Sequence, residues 1–128
     1  VKRKFRIGRK QALCLEGRGC VAAWREGSFP LTVWISHQLP YVVRHYIARH
    51  LGLPENDVRV IAPHTGGGFG QKMFMPREEI AIVLVAHKLG RTVKWIEDRR
   101  ENLIAGNIAR IEKGTVTFAL DADAHIQA

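Results

Sequence analysis

Cysteine is scarce in this chain, with two in 128 residues, Cys14 and Cys20. Their spacing matches neither a C-x-x-C redox pair nor a zinc-ligand pattern. On a shared strand they would face the same side but lie too far apart to bridge. They are expected as reduced thiols packed as small hydrophobes. No apolar run reaches the length of a membrane span, so no membrane partner is expected. The basic opening, Val1–Lys10, is followed by no apolar h-region, so the signal-peptide pattern is missing. Together these features point to a cytoplasmic protein. Zinc-finger spacing, heptads, the aromatic signature of RNA-recognition domains, internal repeats and low-complexity tracts are also missing.

What is present is globular composition: 46% apolar and 25% charged residues, enough for one domain with a modest core. The net charge of +8 raises the question of nucleic acid. However, "KRKFRIGRK" alone holds six Lys or Arg, and the rest of the chain is nearly balanced. A solvated basic segment accounts for the excess, and nucleic acid is not expected as a partner. This divides the chain into a basic segment, 1–14, and a folded module, 15–128. The first residue is Val rather than Met, which suggests a processed chain or an excised fragment.

The coarse pattern is legible. A strand is expected from Leu15 to Trp24, then a turn in "GSFP" bracketed by Gly27 and Pro30. A second strand, "LTVWIS", follows with Leu31, Val33 and Ile35 on one face. Pro40 suits the first turn of a helix, and Val42, Val43, Tyr46, Ile47 and Leu51 keep helical spacing up to a stop at Gly52. "VRVIAP" reads as a strand from Val58 to Pro63. Pro76 opens a second helix, with Glu78 and Glu79 as helix-start charges and Gly90 as its stop. "TVKWIED" and "TVTFALDADAHIQA" read as further strands, the latter turning at Asp121 to Asp123. The predicted fold is a two-layer α+β domain with a mixed sheet, its module in β-β-α-β-α-β order.

Two stretches carry chemistry. "RVIAPHTGGGFGQK" places Gly66, Gly67, Gly68 and Gly70 between a strand and a helix. Such bare backbone suits positive φ angles or the close approach of a ligand, and its amides can cradle an anion. It is neither G-x-x-x-x-G-K-[ST] nor G-x-G-x-x-G, and an irregular connection explains it nearly as well. "WISHQLP" places Gln38 between strand end and helix start, where its amide can donate to one group and accept from another. An isolated Gln there is more often a solvated residue. If the two preceding strands run parallel, both loops leave one sheet edge, where α/β arrangements bind ligands. One site would then combine Gln38 with the Gly66–Gly70 backbone.

"EGRGCVAAW", "LTVWISHQLPYVVR", "VRVIAPHTGGGFGQK" and "EEIAIVLVAHKLGRTVKWIEDRREN", in this order and spacing, resemble the molybdenum-binding large subunit of the xanthine dehydrogenase, aldehyde oxidase and carbon monoxide dehydrogenase family. The resemblance implies a hydroxylase or carbon monoxide oxidase that uses a molybdopterin-type molybdenum cofactor. The metal would be held by the pterin dithiolene, with no metal ligand and no catalytic base from this region. Iron–sulfur and flavin partners would carry the electrons. By that resemblance Gln38 matches the glutamine that hydrogen-bonds an oxo ligand of molybdenum. Gly67, Gly68, Phe69 and Gly70 match the loop whose main chain lies against metal and pterin, with Phe69 as a wall.

There are departures from the family pattern. His37 stands where the family usually has Thr, and Met73 stands where xanthine-specific members carry glutamate. That argues against purine recognition of that kind. The family's glutamate base and most of its pterin-binding segments have no counterpart in 128 residues. The expectation is therefore a fragment contributing part of the molybdopterin site, inactive alone and retaining no cofactor by itself, completed by the remainder of the large subunit. The alternative is a free-standing remnant that forms a homo-oligomer or binds nucleic acid as a basic module. Glu78, Glu79, Glu97, Asp98, His45 and His50 are read as structural, and His64 is the one histidine worth watching.

Overall fold

A computed structural model describes residues 1–25 and 28–128. Its contacts divide the chain into two compact units, Val1–Gln11 with Asn107–Ala128, and Ala12–Gly106. This grouping differs from the expected separation of 1–14 from 15–128, because strand pairing ties the basic segment to the end of the chain.

In the first unit, β1 (Lys2–Ile7) pairs antiparallel with β8 (Glu112–Thr117), and β2 (Lys10–Gln11) pairs with β7 (Ile108–Ala109). The pairing of Lys2, Lys4 and Arg6 with Thr117, Thr115 and Lys113 puts four cations on one side of the ribbon. All residues of β1 and β8 are exposed. The terminal strand expected over "TVTFAL" begins earlier, at Glu112, and stops at Thr117. Beyond it a bridge pairs Leu120 with Ile126 across the turn.

The second unit holds β3 (Gly19–Trp24), β4 (Leu31–Ile35), α1 (Pro40–Leu51), β5 (Val58–Ile61), α2 (Arg77–Leu89), β6 (Val93–Ile96) and α3 (Arg99–Ala105). A mixed sheet runs β5-β4-β3-β6. Here β3 pairs antiparallel with β4 and β6, and β4 pairs parallel with β5. Arg25 N donates to Pro30 O at 2.7 Å and closes the β3–β4 hairpin. Gly27, expected in that turn, lies outside the described residues.

Period-2 alternation sends Cys20, Ala22, Leu31, Val33 and Ile35 to one face of the sheet. There they pack with Val43, Ile47 and Ala48 of α1 and Val83 and Ala86 of α2. Truncating one of these, Leu31→Ala for instance, costs roughly 2–5 kcal/mol. Both long helices end on a left-handed glycine, Gly52 and Gly90, as their sequence signals predict. The opposite sheet face carries Val21, Trp34, Ile61 and Ile96, with Trp34 and Ile96 exposed. Among the described residues no helix is long and apolar enough to cross a membrane.

Three expectations change. The strand expected from Leu15 starts only at Gly19, because Glu16 and Arg18 direct their amides elsewhere, to Gly66 O and the Glu97 carboxylate. "TVKWIED" is a strand only over Val93–Ile96. The residues after it form a helix that sequence patterning did not predict. Asp98 caps α3 by accepting from Glu101 N, and Glu101 returns a bond to Asp98 N, which makes a capping box.

Candidate functional site

Because β4 and β5 are parallel neighbours, the segments that follow them leave the sheet at one edge. The Gln38 segment and the glycine turn meet there. Gln38 N donates to Lys72 O at 2.9 Å, and Gly70 N donates to Gln38 Oε1 at 3.1 Å. The residues singled out in the sequence, Gln38, Gly66, Gly67, Gly68, Phe69 and Gly70, are thus brought together. The fit is close at Gly68, where a Cβ would collide with Cγ, Cδ and Oε1 of Gln38. Gly67 and Gly70 have φ of +93° and +84°, and Phe69 itself stands at +47°, a conformation uncommon for a side-chain-bearing residue. Phe69 is 76% exposed. With Gln38 Oε1 occupied by Gly70, its Nε2 has no protein partner among the described residues and remains available as a donor.

The turn is held from beneath by residues the sequence reading did not select. Glu16 Oε2 accepts from Ser36 Oγ at 2.5 Å, Lys72 Nζ at 2.7 Å and Gly66 N at 2.8 Å. Glu16 N donates to Gly66 O at 3.2 Å. Lys72 also donates to Ser36 Oγ at 2.8 Å, and its side chain is fully buried. Partial burial alone would raise the Glu16 pKa. The bonds from Lys72, Ser36 and Gly66 outweigh it and hold the carboxyl below its ordinary range. Cys14, buried and reduced as expected, points its thiol at Gly68 O, 3.4 Å away.

A second buried network lies beside this one. The Arg18 guanidinium and amide engage both oxygens of Glu97. Asn102 Nδ2 donates to Glu97 Oε2 at 2.7 Å and reaches Gln71 Oε1 at 3.4 Å. This ties α3 to the residue that follows the glycine turn. Glu79 holds the first-turn place its sequence position predicts, but it is also buried. It is 1% exposed, and burial, reinforced by the Glu78 and Glu97 charges against Arg18, pushes its carboxyl up to about 8. It is therefore neutral near pH 7, with Oε2 unpartnered.

Of the histidines, His37 is buried and accepts from Leu39 N at 3.0 Å through Nδ1. Burial, against its hydrogen bonds to the backbone, holds its pKa down, so it is a neutral structural residue. His45 sits 2.9 Å from Glu55, and His50 sits 2.7 Å from Tyr46 O. His64 is exposed at the rim of an open cleft of about 330 Å³ whose floor includes Val21, Trp34 and Ile96. Among the described residues no group of three His, Cys, Asp or Glu is placed to hold a metal ion.

Comparison with known proteins matches residues 1–128 to the molybdopterin cofactor-binding domain. The nicotine 6-hydroxylase large subunit of Paenarthrobacter nicotinovorans is 40% identical over 122 residues, which is 95% of this chain and 15% of that protein. The carbon monoxide dehydrogenase large chain of Afipia carboxidovorans is 40% identical over 114 residues, 89% of this chain and 14% of its own length. Among solved structures, quinoline 2-oxidoreductase from Pseudomonas putida 86 superposes with a TM-score of 0.89 at 36% identity, covering 98% of this chain and 16% of that one. The chain therefore spans about one seventh of the length of these relatives. It belongs to the molybdopterin cofactor-binding domain family, together with the large subunits of nicotine 6-hydroxylase and carbon monoxide dehydrogenase.

Proposed function

We infer that this chain supplies one wall of a molybdopterin site in a molybdenum hydroxylase large subunit, with Gln38 and the Gly66–Gly70 turn as the contacting residues. One observation carries the reading. Gln38 Oε1 is taken by Gly70 N while Nε2 is left free at the same sheet edge. The site suits such a group in three ways. Gly68 lets the main chain close on the Gln38 side chain, where any Cβ would collide, the turn takes positive φ at Gly67, Phe69 and Gly70, and Phe69 stands uncovered. When bound, the cofactor would supply a redox-active metal that transfers oxygen from water to a substrate carbon.

The protein's own contribution is positional. Gln38 Nε2 would donate to an oxygen of the group, the main chain at Gly68 and Phe69 would lie against it, and the Phe69 side chain would exclude water from one side. Among the described residues, neither Glu16 nor Glu79 is free to serve as a general base. Glu16 is engaged by three donors, and Glu79 is enclosed beneath the helix. A base and further pterin contacts must come from the remainder of the large subunit, and electrons must leave through iron–sulfur and flavin partners. The chain alone is inactive and retains no cofactor. The test is an aldehyde and purine oxidation assay on the purified chain supplied with cofactor, and turnover without added subunits refutes the assignment.

A second reading draws on the sheet face bearing Val21, Trp34, Ile61 and Ile96. An uncovered apolar face of this kind promotes self-association, so the chain by itself would act as an oligomerising, non-catalytic domain. Sedimentation at several concentrations separates the two readings, since a strictly monomeric chain removes this second one.

A further inference from the structure

We propose that Glu16 is the positioning residue of the glycine turn, locking Gly66 and Lys72 so that Gly70 is presented to Gln38. The inference rests on the reading of Gln38 and the turn as the cofactor-facing edge, and it concerns how that edge gets its shape.

The two ends of the turn are six residues apart, and both converge on one carboxylate oxygen. At the leading end, Glu16 brackets Gly66 with two bonds, its carboxylate accepting from Gly66 N and its amide donating to Gly66 O. The approach is so close that a Cβ on Gly66 would lie 2.6 Å from Glu16 Cβ, below the separation real atoms tolerate. At the trailing end, Lys72 Nζ reaches the same oxygen through a fully buried side chain, while Lys72 O receives Gln38 N. Ser36, two residues before Gln38, donates to that oxygen as well. A single carboxylate thus joins the end of β4, the start of the turn and its finish. The segment between Gly66 and Lys72 has little conformational freedom left, and Gly70 N is delivered to Gln38 Oε1. The ammonium of Lys72 has no other carboxylate partner among the described residues, so the lock is strong only while Glu16 is charged.

The test is native-state hydrogen exchange on the 128-residue chain, resolved at single amides, for wild type, E16A and the double variant E16A/K72M. The double variant leaves no uncompensated buried ammonium and keeps the measurement usable if E16A alone unfolds. The expected result is exchange at the Gly66 and Gly70 amides faster by at least about tenfold than in wild type. Core amides of α1 and α2 should change only by the amount global stability dictates, and loop exchange should stay fast in the double variant although its unfolding midpoint recovers. As a spectroscopic signature, the wild-type Gly66 amide resonance follows the Glu16 titration, and E16Q abolishes it. Loop exchange equal to wild type in the double variant, or one common acceleration factor at every amide, overturns the proposal. Molybdenum and pterin content of the complete polypeptide bearing this module is measured separately. Their absence there overturns the cofactor reading and leaves the exchange result standing, whereas unchanged loop exchange overturns the lock whatever the pterin content.

Discussion

Arg18 and Glu97 form a fork in the interior. The guanidinium Nε and Nη2 lie 2.8 and 2.5 Å from Glu97 Oε1, and the Arg18 amide lies 2.9 Å from Oε2. Neither side chain is more than 4% exposed. The pair joins the residue before β3 to the residue after β6 and, through Asn102, to α3. Replacing one partner leaves a buried charge without its counterpart. Arg18→Met is therefore expected to cost about 3–5 kcal/mol in urea denaturation, while a paired apolar replacement such as R18M/E97L costs far less. Burial alone would raise the Glu97 pKa, and the bonds from Arg18 and Asn102 bring it below the ordinary value. Its contribution is therefore present above the unfolded pKa and lost as pH falls through the lower folded one.

Glu79 gives the opposite sign. Its folded pKa of about 8 exceeds the unfolded value of 4.5, so the native state binds the extra proton between them. The associated stability is complete below pH 4.5 and declines as pH rises to about 8. Glu79→Gln mimics the neutral form. Denaturation curves at pH 5 and pH 8.5 should show wild type losing stability over that interval and E79Q holding more of it. A parallel decline in both proteins contradicts the assignment.

Gly68→Ala introduces a methyl group into the space filled by the Gln38 side chain. Either Gln38 or the turn must move, at a cost of about 1–3 kcal/mol. The Gly70 amide should lose its protection from exchange because its acceptor is displaced. A crystal structure or amide shifts showing the Gly70–Gln38 bond intact would count against this account.

Burial, with the Glu79 carboxyl beside it, pushes the Cys20 thiol up to about 12 from an ordinary 9.0. The thiolate fraction at pH 8 is therefore lower by roughly a thousandfold. Cys20 should resist alkylation in the native chain and react on unfolding, as mass spectrometry of peptide digests would show.

How far the sequence alone leads depends on the range of the signals. Local signals read well: Pro40 and Gly52 around α1, Glu78 and Gly90 around α2, and the alternation of Leu31, Val33 and Ile35. The convergence of Gln38 with Gly66–Gly70 was anticipated because it needs only two parallel strands with loops at one edge. The α3 helix was overlooked although Asp98 and Glu101 carry a capping-box signature, since seven residues give too little periodicity to notice. The β1–β8 ribbon joins residues more than a hundred positions apart, and exposed charged strands have no inward face to betray them. The Glu16–Ser36–Lys72 cluster has no local signature either. A lysine after a glycine loop reads as surface, and only a carboxylate 56 positions away in the fold turns it into a buried cation. Glu79 occupies the first turn of α2 as its sequence position predicts, but its burial is decided by packing and has no local signal.

The side-by-side run of β4 and β5 also acts as a ruler. Leu31 sits opposite Val58, and Trp34 opposite Ile61. A slip of one residue would turn Trp34 inward and Val33 outward, so the core forbids it. A slip of two keeps every side chain on its proper side, yet carries Gln38 about 6.6 Å along the strand axis, at roughly 3.3 Å per residue. Hydrophobic packing cannot detect that error, but the span between Gln38 and Gly70 would be broken by it.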